Sequence, residues 1–104
     1  MNIVNNDVLE GNVYVMTHSI FANVVRIGCT PTSPDEYAKS LSKNTPGDYN
    51  VVFQLFCKNP CHIKKQVRKY LNANQYINEF YEVQPEHAAK LLKTESLRIS
   101  VCDA

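Results

Sequence analysis

The chain has 104 residues, 44% hydrophobic and 20% charged, with three Gly against five Pro, which suits one compact domain and is too short for two layered modules. Eleven Lys and Arg against ten Asp and Glu leave a formal net charge of +1, which excludes a histone-like polycation and an acidic tail protein, so a polyanion site has to be a local patch. No apolar run approaches the roughly 20 residues of a membrane helix, and the opening MNIVNNDVLEG has neither the cationic end nor the apolar stretch of a signal peptide, so a soluble intracellular protein of cytoplasm or nucleus, with no membrane partner, is expected.

Residues 1 to 11 are polar and Asn-rich and read as a flexible N-terminal arm ending at Gly11, with the domain spanning 12 to 95. From Asn12 to His18, Val13, Val15 and Thr17 alternate with Tyr14 and Met16, the period of a strand. Asn23 to Cys29 is a second β-branched run, so the two predict an antiparallel hairpin whose second strand ends at Gly28. Ser33-Pro34-Asp35-Glu36 is a helix start, with Ser as cap, Pro at the first helical position and Glu at the reciprocal capping place. The helix runs to about Lys43, with Tyr37, Ala38 and Leu41 inward and Lys39 and Lys43 outward.

After the break at Asn44 to Asp48, Tyr49 to Cys57 is apolar enough to predict a strand covered on both faces and central in its sheet. Asn59-Pro60 opens a second helix with Ile63, Val67, Tyr70 and Leu71 as its buried stripe. Tyr76 to Val83 reads as one strand. Gln84-Pro85 begins a last helix carrying Ala88, Leu91 and Leu92, and residues 96 to 104 read as a tail or short strand. The order ββαβαβα is that of an α+β domain with a small antiparallel or mixed sheet.

Cys29, Cys57, Cys61 and Cys102 are read as reduced thiols, because a chain with this apolar content and no secretion signal needs no disulfide staples. Cys57, Cys61 and His62 have the spacing of half a zinc site, but no second pair accompanies them, and no zinc is expected. No Ser-His-Asp or Cys-His catalytic spacing is present. One stretch departs from the average surface: Lys58, Lys64, Lys65, Arg68 and Lys69 stand together with no acid among them, the footprint of a phosphate backbone or of a solvated helix face. Tyr70 and Tyr76 nearby offer rings for base stacking, although the spacing of Tyr70 favours a core role. Glu79, on the strand that also carries Glu82, is a candidate metal ligand.

Taken together, Val13-Tyr14-Val15, Arg26-Ile27-Gly28-Cys29-Thr30, the capped helix Pro34 to Leu41, the apolar strand, the Lys-rich helix and Glu79-Phe80-Tyr81-Glu82-Val83 resemble the GIY-YIG nuclease superfamily over residues 11 to 93. The resemblance is to the phage and large-DNA-virus branch, in which the second motif usually reads Lys-Ile-Gly. It implies a three-stranded antiparallel sheet flanked by helices. It also implies a site made by Tyr14 as the first motif tyrosine, Arg26 in place of the second, and Glu79 as ligand of Mg²⁺, with a host-cell location if the chain is viral. Such a site hydrolyses phosphodiesters by setting a water in line while a divalent ion and cationic groups neutralise the developing charge.

Two departures weigh against turnover. The first helix of the family carries an arginine for the scissile phosphate, and here Tyr37 stands in its place, a neutral donor instead of a charged fork. Lys39, two residues on, points about 200° around the helix. Where the branch often has His in the second helix, this chain has Arg68. The expected function is nucleic-acid binding, DNA foremost, with cleavage impaired or lost, through Lys58, Lys64, Lys65, Arg68 and Lys69 together with Arg26, Lys39 and Lys43. The alternatives are an active Mg²⁺-dependent endonuclease and a protein-interaction module. An exposed edge strand would allow a homodimer.

Overall fold

The computed structural model is described over residues 10–71, 75–76 and 80–103. Its elements are β1 (Glu10–His18), β2 (Val25–Thr30), α1 (Pro34–Ser42), β3 (Tyr49–Lys58), α2 (Pro60–Tyr70), β4 (Gln75–Tyr76), β5 (Phe80–Tyr81) and α3 (Pro85–Asp103). They form an α+β domain on one antiparallel sheet in the order β3-β1-β2-β5-β4. The sheet has five strands where the resemblance implies three and the element order ββαβαβα contains four, and its last two strands are only two residues long.

β1, not β3 as expected, is an interior strand of the sheet, and β2 is the middle one of the five. β1 pairs with β2 on one side and with β3 on the other, and Val13, Tyr14, Val15 and Met16 are all buried. β3 has one neighbour among the described residues and lies at the sheet edge. Its side chains alternate between half-buried and exposed, with Val52 and Phe56 in the open, so its apolar run does not signify cover on both faces. A register shift opposite Val15 and Met16 skips Val52 and resets which residues face which side.

Alternation along β1 and β2 divides the core into two layers. Val13, Val15, Val25 and Ile27 pack with Ile63, Val67 and Leu71 of the α2 segment, Tyr81, and Ala88 and Leu92 of α3. Tyr14 and Met16 point the other way, to Ala38, Tyr37 and Leu41 of α1 and to Tyr49 and Val51 of β3. α1 therefore covers one face of the sheet, and α2 and α3 cover the other.

Local signals set the helix starts. Ser33 accepts the Glu36 N–H at 3.4 Å, and Pro34 opens α1 as expected. At α2 the cap differs: Asn59 makes no side-chain cap bond but takes the left-handed conformation, φ 52°, which Asn tolerates, and the Ile63 N–H reaches its carbonyl at 3.1 Å.

Four further expectations change. β1 already includes Glu10 and Gly11, which the sequence pattern places in the arm. β2 continues past Gly28 to Thr30. The segment expected as a single strand from Tyr76 holds two, β4 and β5, paired antiparallel through Tyr76 and Phe80. α3 does not stop near residue 95 but runs to Asp103, through the residues expected as a tail or strand. No Gly or Pro interrupts it, and tertiary contacts hold its second half: Glu95 and Ser96 are buried, and Arg98 donates to the Tyr70 hydroxyl at 2.8 Å. That contact also explains Tyr70, which leaves the stripe of α2 and is 51% exposed.

Candidate functional site

Three of the four residues expected at a catalytic centre meet on the α1 face. Tyr14 stands opposite Gly28 in the hairpin register, and a Cβ on Gly28 would lie 2.3 Å from the Tyr14 hydroxyl oxygen, so the absence of a side chain there lets the phenol ring cross β2. The ring ends beside Arg26, whose Nε donates to the Tyr14 hydroxyl at 3.3 Å. An Arg26 terminal nitrogen donates to the Tyr37 hydroxyl at 3.4 Å. The guanidinium carbon lies 5.9 Å from the Tyr37 ring centre and 6.0 Å from that of Tyr49, and the Tyr14 and Tyr37 rings meet edge to face.

The position expected to hold a phosphate-seeking arginine is thus held by a phenol that accepts from Arg26. The cluster is largely closed, with Tyr14 1% and Arg26 8% exposed. Glu79, expected as the metal ligand, lies outside the described residues. The described groups around Tyr14 are phenols and a guanidinium, so the carboxylate that Mg²⁺ takes as a hard oxygen ligand would have to come from Glu79. Among the described residues no group of three or more His, Cys, Asp or Glu comes together to hold a metal ion.

An aromatic chain that sequence spacing does not reveal extends the cluster along the same face. Tyr49 stacks with Phe80 at 6.0 Å and meets His18 edge to face at 4.7 Å, while Phe21 lies against both His18 and Phe80. The Ile20 N–H donates to His18 Nδ1 at 3.1 Å, which fixes the ring. These residues meet only because β3 pairs with β1 and β5 with β2, pairings between segments distant in the chain.

The cations divide between the two faces. Lys39 is exposed on α1 and Lys43 at its C-terminal cap. On the opposite face, α2 presents exposed Lys65 and Lys69 and half-buried Lys64, while Lys58 is exposed at the end of β3. His62, Lys65, Gln66, Arg68 and Lys69 line a shallow depression. Arg68 is not a plain surface cation: it is half-buried, donates to the Tyr81 hydroxyl and lies 5.7 Å from the Tyr81 ring centre. Tyr70 stands beside this surface with Arg98 over its ring at 5.7 Å. The residues expected on phosphates therefore do not share one surface, because α1 and Arg26 are on the far side of the sheet from α2.

Burial pushes the Cys57 thiol above its ordinary value, against a smaller lowering by a hydrogen bond with the Val13 backbone. No helix among the described residues is long and apolar enough to cross a membrane. Comparison of the chain with protein-family models, with curated proteins and with solved structures gives no match.

Proposed function

We propose that the chain is a nucleic-acid-binding domain of GIY-YIG endonuclease ancestry in which cleavage is impaired or lost, and that it meets the phosphate backbone of DNA with α2. The observation that carries this reading is the depression lined by His62, Lys65, Gln66, Arg68 and Lys69, in a stretch from Lys58 to Tyr70 that holds five cations and no acid. The inner side of α2 is fixed by Ile63 and Val67, which leaves its outer side to solvent. An arginine held by Tyr81 beside exposed lysines suits a surface that reads backbone charge and not base sequence. Impaired cleavage is supported by Tyr37, whose hydroxyl is taken up by Arg26 where a free guanidinium would be needed.

Labelled duplex DNA titrated at two salt concentrations tests the reading. Affinity falls steeply with salt, and Lys65→Ala with Lys69→Ala weakens binding and lowers the salt slope by about two. Affinity indifferent to salt overturns it. The meeting of Tyr14 with Arg26 is compatible with a second reading, an active Mg²⁺-dependent endonuclease whose metal ligand would be Glu79. Plasmid nicking in Mg²⁺ that Glu79→Ala abolishes would establish that reading in place of the first.

A further inference from the structure

Cys29 lies on β2 and Cys61 in the first turn of α2, 32 positions apart in the chain, and their sulfurs are 2.6 Å from each other. Non-bonded heavy atoms settle at roughly 3.5–4.0 Å, whereas a covalent S–S bond is about 2.05 Å. The two sulfurs are in direct contact, near enough for a bond to join them with little movement. Both residues are half-buried. Cys57 shares their face of the sheet but stands opposite Gly11 on β3, while Cys29 stands opposite Val13 on β2, so β1 runs between them and Cys61 is the partner of Cys29.

We propose that Cys29 and Cys61 are a redox pair, oxidised to an intramolecular disulfide by a low-molecular-weight disulfide such as oxidised glutathione. The thiolate of one cysteine attacks a sulfur of the glutathione disulfide, forming a mixed disulfide and releasing one glutathione thiolate. The thiolate of the second cysteine then attacks the protein sulfur of the mixed disulfide, forms the Cys29–Cys61 bond and releases the second glutathione. Two protein thiols are oxidised, one glutathione disulfide is reduced to two thiols, and the two protons end on them. The bond ties β2 to the start of the cationic helix and closes a long loop, which restricts the unfolded chain. This chemistry is independent of whether α2 binds nucleic acid.

The test uses the full chain, reduced, then exposed to oxidised glutathione, blocked with N-ethylmaleimide in denaturant and mapped by mass spectrometry of its peptides. The expected product joins the peptides of Cys29 and Cys61 and carries maleimide on Cys57 and Cys102. Its thermal midpoint rises by about 5 °C or more and falls back on reduction with dithiothreitol. Cys57→Ser keeps both effects, and Cys61→Ser and Cys29→Ala each lose them. Maleimide on all four cysteines, mixed disulfides with glutathione alone, or a link from Cys29 to Cys57 or Cys102 overturns the proposal, and since these products are read on the unaltered chain the result does not depend on a variant that folds poorly.

Discussion

Ile27 and Gly28 are neighbours in β2, yet one lies in an aliphatic layer under α2 and α3 and the other lies beneath the ring of Tyr14 under α1. The first layer is made of branched side chains whose contribution grows with apolar area and tolerates modest changes of shape. The second is made of phenols, a guanidinium and an empty space at Gly28, and each part works only if the others are in position. Adjacent residues of one strand thus serve a layer that stabilises and a layer that specifies geometry.

The largest break in this contrast is expected from Ile27→Ala, which empties a fully buried position of the aliphatic layer and should cost about 2–5 kcal/mol in urea unfolding, with Tyr14 and Arg26 still in place. Next comes Gly28→Ala, expected to cost about 1–3 kcal/mol because the new methyl overlaps the Tyr14 hydroxyl, and to change the near-ultraviolet dichroism of the tyrosines, which Ile27→Ala should alter less. Tyr14→Phe, which keeps the ring and deletes the acceptor of Arg26, should cost about 1–2 kcal/mol, and Tyr37→Phe less, since Tyr37 is partly open to water.

The smallest effect concerns alkaline pH. Folding raises the Cys57 thiol above its unfolded value of 9.0, so between the unfolded and the folded value the native state holds more protons than the unfolded one. Stability from this group is therefore constant below about pH 9 and declines as pH rises above it. Thermal midpoints measured from pH 8 to pH 10.5 should fall more steeply in the unaltered chain than in Cys57→Ser.

How much of this is legible in the sequence depends on how local each cause is. The β1–β2 hairpin, the Ser33-Pro34 start of α1 and the Pro60 start of α2 follow from residues within a few positions of one another. The place of β3 does not, because an apolar strand reads alike whether a second neighbour covers it or its residues at Val52 and Phe56 stand open. Tyr70 stands at the margin of the α2 stripe, and only α3, continuing past residue 95, supplies the Arg98 that holds it outside. At the candidate site, Tyr14, Arg26 and Tyr37 are expected together, and the structure brings them together. What no spacing could convey is that Tyr37 would accept from Arg26, that Tyr49 would complete the enclosure, or that the lysines of α1 and α2 would fall on opposite sides.

The position of β3 has a consequence for handling the protein. From Tyr49 to Cys57 the strand carries no charge, and among the described residues its outer row of backbone donors and acceptors meets no other strand. Such a row is a template on which a like segment from another molecule can be laid, and here Lys58 at its end and the irregularity near Val52 are its guards. Self-association in concentrated solution or during slow refolding is expected to start along this rim, and a lysine in place of Phe56 is expected to close it while leaving both layers of the interior untouched.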